Sequence, residues 1–354
     1  MSTTLRTPWG KAIGLGLGAS LAVLLIVLAF LWPSKTSTAQ NLPVSIAGPE
    51  QAVTAIEAQL KEKAPDLLDL KPAADRAEAE RQIRERETYG AIVLSATGAP
   101  EVLTAPAAGA AGTQVVTQLA ATLQAGLTAQ AQATGTQAPQ VTVTAVVPLS
   151  ETDPNGTGLT AAAFPLALGG VIGGVMVSLL IRGTWQRFAA AATFAAAAGG
   201  LMVWVMQAWF GYLQGNAWLN FLAIGLTILA TATFMIGCVK LLGRPGMALG
   251  PIVTVLLGNP LSGTTAPWQF LPEPWGAIGQ HLVPGAGNTL LRNLSYFPDA
   301  PTAAQWLTLA AWVVFGALLA IIGHGVHSRR TPAHALPDGA EPAAGQDAPQ
   351  AVAA

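Results

Sequence analysis

The stretch Phe164-Pro-Leu-Ala-Leu-Gly-Gly-Val-Ile-Gly-Gly-Val-Met-Val-Ser-Leu-Leu-Ile181 carries no charge over eighteen positions. Coiled into a helix at about 1.5 Å per residue, it approaches the roughly 30 Å of a bilayer's hydrocarbon core. It has companions at Ala12–Trp32, Phe188 to about Ala208, Trp218–Val239 and Gln305–His324, and a weaker one at Pro245–Leu257. The run after Phe188 is Ala-rich and only moderately apolar, so it is expected inside a bundle rather than facing lipid all round. Counting all six as spans predicts an α-helical polytopic membrane protein.

Composition sets the same limits. Only 10% of the 354 residues are charged and 52% belong to the apolar set, where a soluble domain carries about 25% charge. So little charge cannot cover a water-soluble surface of this size, which excludes a soluble enzyme. A net charge of −1 provides no basic footprint for nucleic acid. The lone cysteine excludes a disulfide framework and a cysteine-rich metal site, and no motif calls for a cofactor.

The charges are also segregated. Of 35 charged residues, 21 lie between Lys35 and Asp153, and none between Pro154 and Pro272 is acidic. One polar domain is therefore expected between the first and second spans. The first run, after Arg6 and Lys11, reads either as a retained anchor or as a signal peptide cleaved near Ser37-Thr38-Ala39. Its length, beyond the roughly 7–15 apolar residues of a signal core, favours the anchor. Six spans put Arg6, Lys11, Arg182, Arg187, Lys240, Arg244, Arg329 and Arg330 on one side, and among short loops on the other side only Arg292. The positive-inside rule then predicts a bacterial plasma-membrane protein with both termini cytoplasmic and residues 40–150 extracytoplasmic. The expected organisation is an N-terminal helix in 1–39, an α/β domain in 40–150, five helices in 160–326 and a disordered tail in 327–354.

Within 40–150, short β runs alternate with helical patterns. Strands are expected at 44–46, 67–70, 91–94 and 102–103, the last two as a hairpin, with a final strand in 141–147. Helices are expected at 50–63, 74–88 and 114–130, the last with a stripe at Val115, Leu119, Leu123 and Leu127. The charged stretch from Asp75 to Glu87 reads as a solvated face of i,i+4 pairs. This domain contains no histidine, no nucleophile–base pair and no phosphate loop, so the chain is not expected to be an enzyme.

No Asp, Glu, Lys or Arg falls inside an expected span, which argues against a proton relay. His324 reads as an interfacial residue and Cys238 as apolar packing. Gly14 with Gly18, Gly169 with Gly173 and Gly170 with Gly174 repeat the spacing that lets helices approach closely, within the chain or in a homodimer. The long stretch from 258 to 301 is broken by Pro and Gly and studded with aromatics. It reads as a re-entrant or interfacial segment, because irregular backbone at membrane depth survives only where protein or a watery cavity satisfies it. Asn259, Pro260, Ser262, Trp275, Gln280 and Arg292 are its candidate substrate-path residues.

The strings Gly258-Asn-Pro-Leu-Ser-Gly263, Leu271-Pro-Glu-Pro-Trp-Gly276, Gly279-Gln280, Pro284-Gly285 and Leu290-Leu-Arg292 resemble the permeases of the ABC-2-type exporter superfamily. Within it they are similar to the YhgE/Pip-like membrane proteins of actinobacteria. The order of one span, an external α/β domain and five spans matches too, as do Leu42-Pro-Val44, Gly48-Pro49 and Tyr89-Gly-Ala-Ile-Val93. The resemblance implies an export permease for hydrophobic, lipid-linked or polymeric cargo, driven by a separate ATPase subunit. Arg182, Trp185 and Arg187 would be its contact points. The cytoplasmic loops leave no room for a docking helix, and that departs from the pattern. The alternative is a membrane-anchored receptor or envelope-assembly scaffold whose external domain binds a partner without transport.

Overall fold

A computed structural model describes residues 8–95 and 99–328. Arg6, Arg329, Arg330 and the tail from 329 to 354 lie outside them. Five helices are long and apolar enough to cross a membrane: α1 (Trp9–Thr36), α5 (Thr157–Leu180), α6 (Thr184–Val203, extended by a π-helical turn Trp204–Trp209), α7 (Ala217–Leu242) and α11 (Ala303–Ser328). Between α1 and α5 the chain forms a small α/β domain. Its strands β1 (Leu42–Ala47), β2 (Leu68–Pro72), β3 (Gly90–Val93), β4 (Glu101–Thr104) and β5 (Thr142–Ala145) lie in the order β2-β1-β3-β4-β5. Only β3–β4 is antiparallel, the expected hairpin. Helices α2 (Glu50–Lys63), α3 (Arg76–Arg84) and α4 (Ala110–Thr134) connect the parallel strands.

In the domain core Leu42, Val44 and Ile46 of β1 meet Ile83, Ile92, Leu103 and Val116. The most buried residues of α4 at the core are Gly112, Val116, Leu119 and Ala120, while Val115 and Leu123 of the expected stripe pack partly buried beside them. At Gly112 the Tyr89 ring lies 2.9 Å from where a Cβ would be, so α4 docks through its smallest residue. Phe270 and Phe297, from much later in the chain, complete this core. The domain therefore sits directly on one end of the helical part, called here the domain end.

The centre of the bundle is α7, not the Ala-rich α6. The apolar window of α7 is 67% buried, that of α6 only 17% and that of α1 0%. α6 turns one strip of small residues, Ala191, Ala195 and Gly199, towards its neighbours and leaves its other faces open. Phe234 of α7 packs on Trp312 and Phe315 of α11, but several contacts to α7 run through residues without bulk. Gly170 and Gly174 of α5 face Thr231 and Met235, while Gly237 of α7 and Gly316 of α11 bring backbone onto backbone. Gly173 abuts the Phe194 ring of α6. Gly14, Gly18 and Gly169, by contrast, have no atom within 4 Å of a notional Cβ. Their spacing does not pack helices within this chain, because α1 is exposed from Trp9 to Leu28 and Gly169 points away from α7.

After α7 the chain doubles back through α8 (Gly246–Pro251) and a π-helical turn, Ile252–Leu257. This is the weak run of the sequence, and its twelve residues extend only about 18 Å. Gly246 lies against Cys238 at the far end of α7, and Gly258 meets Pro284 halfway up. An irregular stretch then carries the chain to the domain end, where Phe270 O accepts from Thr38 N–H at 3.1 Å.

Gly316→Leu would drive a side chain into the backbone of Thr233 and Phe234. It is expected to cost about 3 kcal/mol, read as a lower thermal unfolding temperature in detergent. Gly14→Leu, with open space around it, is expected to leave that temperature unchanged.

Candidate functional site

Residues 275–296 form a helical hairpin, α9 (Trp275–Gln280) and α10 (Val283–Tyr296), that starts and ends at the domain end. Trp275 packs edge-on against Trp32, ring centroids 5.9 Å apart. At the other limb the Tyr296 hydroxyl donates to Tyr212 O at 2.6 Å. Between these anchors the hairpin dips into the bundle, and two helices measure how far. Gly287 abuts Thr227, which lies about 15 Å along α7 from Ala217. Trp312, about 14 Å along α11 from Ala303, donates its indole N–H to His281 O at the hairpin tip, 2.9 Å away. Both rulers put the lower part of the hairpin about 15 Å into the bundle.

The irregular 259–271 stretch that leads to the hairpin leaves backbone groups that need partners, and neighbouring side chains provide them. Gln280 Nε2 donates to Ser262 O at 2.9 Å, and Thr289 Oγ1 donates to Gln280 Oε1 at 2.7 Å. Gln40 Nε2 donates to Leu271 O at 3.2 Å. The limbs close up because Gly279 and Gly285 have no side chains: each faces a backbone carbonyl, of Leu261 and of Gly279.

Two arginines fasten the hairpin to the α/β domain in opposite directions. Arg292 of α10, 4% exposed, donates to Ala107 O at 2.9 Å and Thr264 O at 3.5 Å. Arg86 of the domain, half-buried and in the left-handed region at φ 60°, donates to Asn293 Oδ1 at 2.5 Å and Thr289 O at 3.4 Å. Its guanidinium also lies 5.7 Å from the centre of the Phe297 ring, a cation–π contact. Arg292 is thus no loop residue facing a path: it sits inside α10, spent on carbonyls that would otherwise be unpaired.

Two spaces adjoin the start of the 259–271 stretch. The larger, about 410 Å³, opens at the domain end between α1, α5 and the 259–271 stretch. Ser34 and Ser37 come from α1 and its C-cap, Thr160, Ala163 and Phe164 from α5, and Asn259, Thr264 and Thr265 from the stretch itself. Phe30 and Phe164, edge to face at 6.3 Å, close its lower rim. Asn259, Thr264 and Ala163 also line a deeper recess between α5, α7 and α10, walled by Leu166, Ile224 and Leu291. Its free space is about 30 Å³, on the order of two water molecules.

The six candidate path residues divide accordingly. Asn259, Pro260 and Ser262 line the cleft, although the Ser262 hydroxyl is taken up by Asn259 O at 2.6 Å and Thr264 Oγ1 at 2.5 Å. Trp275, Gln280 and Arg292 brace the hairpin instead. Ser34, Ser37, Thr160 and Phe164 were invisible as site residues, because no spacing rule shows that α1 and α5 meet the 259–271 stretch. At the far end Arg182 is exposed and Trp185 is 75% exposed. Arg187 donates to Ile181 O at 2.8 Å and Ser178 O at 2.7 Å, satisfying the open carbonyls of α5. Only Arg182 and Trp185 of that trio are therefore free to meet a partner. Cys238 is buried and His324 exposed near the end of α11.

Arg292→Ala strips Ala107 O of its donor and is expected to cost about 2–3 kcal/mol of stability. Arg182→Ala, at the exposed far end, is expected to stay within about 0.5 kcal/mol; thermal unfolding of both variants in one detergent checks the pair. No protein-family model matches this chain, and no curated protein matches it either.

Proposed function

We propose that this protein is a multi-pass plasma-membrane permease of the ABC-2-like kind, which moves an amphiphilic, lipid-like molecule outward through the cleft between α1 and α5. The observation that carries the reading is the cleft itself: polar at the domain end, lined by no charged residue among those described, and bordered by the Phe30–Phe164 pair where α1 meets α5. Such a shape suits a molecule with its head at an aqueous boundary and its chains in lipid. The hairpin, with its tip carbonyl satisfied by Trp312, fits a re-entrant segment that walls the small recess below the cleft.

In this reading the domain end is external and residues 40–150 are extracytoplasmic. The segment 246–264 is the fifth of six crossings, part short helix and part irregular chain. Arg182, Lys240 and Arg244 then fall on the cytoplasmic side, in keeping with the positive-inside rule. Exposed Trp204, Trp209 and Trp218 gather at the external boundary, where amphipathic rings are favoured. The turns Ile181–Gly183 and Gly243–Pro245 are too short to seat an ATPase through a helix, so any such subunit would have to use Arg182 and Trp185.

The second reading, a receptor or envelope scaffold without transport, draws on a groove of about 830 Å³ where Lys71 and Arg86 of the domain face Trp268 and Ala277. It would engage a partner while the cleft below stayed shut.

Two experiments test the assignment, both on a Cys238→Ala background. Single cysteines at Glu62 and Thr265 are expected to react with an impermeant maleimide from outside intact cells, and one at Arg244 only after permeabilisation. Outside labelling at Arg244 would overturn the topology. In proteoliposomes, Phe30→Cys with Phe164→Cys joined by a short bis-maleimide is expected to abolish movement of a fluorescent lipid between leaflets. Undiminished movement in the cross-linked protein would exclude the cleft as the path.

A further inference from the structure

We propose that the cleft selects its occupant by head-group charge, admitting a neutral, hydroxyl-bearing head and rejecting an anionic phosphate. This deepens the permease reading and rests on it. Among the described residues, no Asp, Glu, Lys, Arg or His lines the cleft. What it offers instead is Ser34, Ser37, Thr160, Asn259, Thr264 and Thr265. The hydroxyls of Ser34, Ser37 and Thr265 and the Asn259 amide both donate and accept. Those of Thr160 and Thr264 already donate within the fold and can accept. Together they pair with the mixed donors and acceptors of a polyhydroxylated head. A phosphodiester has acceptors and a full negative charge. Moving it out of water beside groups that carry no counter-charge forfeits its hydration without replacement.

Lys35 stands between Ser34 and Ser37 in the last turn of α1, but it is exposed and does not line the cleft. Arg292 is the cation behind the cleft wall, and it does not compensate. Its guanidinium lies behind the Thr264 backbone, 4% exposed, directed at two carbonyl oxygens. Chains have an exit that heads lack. Below the Phe30–Phe164 contact, α1 is exposed along its whole length from Trp9 to Leu28. Acyl chains can therefore leave sideways between α1 and α5 and need not enter the recess, whose 30 Å³ would not hold them.

The test uses the full-length protein in mild detergent. Equilibrium binding of a galactosyl diacylglycerol is compared with that of a phosphatidylglycerol carrying the same chains. The neutral lipid is expected to bind at least about tenfold more tightly, the smallest preference an uncompensated charge should produce. Ser37→Lys and Thr265→Lys, at the rim, are expected to raise phosphatidylglycerol binding to the neutral lipid's level. This is a gain that misfolding cannot imitate. Thr160→Trp, filling the cleft, is expected to remove binding of both lipids.

Equal or tighter binding of phosphatidylglycerol to the unmodified protein, lost in Thr160→Trp, would overturn the charge selection and leave the permease reading standing. Binding of both lipids undisturbed by Thr160→Trp, in a variant with unchanged thermal unfolding, would remove the cleft as a lipid site and the permease reading with it.

Discussion

Close approach to α7 is the constraint on which the rest of the bundle depends. Apolar side chains gain nothing by leaving lipid for one another, so helices in a bilayer hold together by contact at short range. The residues facing α7 obey that rule. Gly170 and Gly174 come from α5, Gly316 from α11, Gly246 and Gly250 from α8, and Gly287 from α10. Threonines 227, 231 and 233 of α7 add a polar edge to the seam, each hydroxyl turned back on its own helix at position i−4. A helix that can be approached on so many sides becomes the spine. The hairpin reaches its depth because Gly287 allows it to lie on that spine.

Depth creates the second constraint. A chain that enters the bundle and turns round must find partners for its open carbonyls. The donors come from four directions: Gln40 after α1, Arg86 from the domain, Gln280 within the hairpin and Trp312 on α11. Arg86 and Arg292 cross in opposite senses between domain and hairpin, both ending on neutral oxygens. Two cations held without a carboxylate are costly to bury. Their value here is geometric, since each has several donors on a planar head and can bridge two chain segments at once.

How much of this was legible in the residues follows from range. Helix α2 matches its expected limits, 50–63, and the 91–94/102–103 hairpin matches as β3 and β4, because local pattern governs both. Segregated charge located the α/β domain for the same reason. The expectation that Ala-rich α6 would be interior failed on a physical point. Small side chains show how closely a helix can be approached, not on how many sides, and α6 uses one strip while α7 is surrounded. Gly14 and Gly18 make the same point. Of the site, Asn259, Pro260 and Ser262 could be read because proline and glycine mark broken helix. Ser37 and Thr160 could not, being ordinary residues joined to them only by the tertiary fold.

Phe270 and Phe297 sit in the core of a domain whose own segment ends near residue 150. During synthesis, at about 5–20 residues per second, roughly 10–30 s separate Val147 from Phe297. Throughout that interval the domain lacks part of its interior, and its apolar centre is open to whatever lies outside. The α/β domain is thus not an independent passenger that folds and waits for its helices. Its completion is a late event in biogenesis, coincident with the arrival of the hairpin, and a chain truncated before residue 297 is a natural client for quality-control proteases even though every strand and helix of the domain is present.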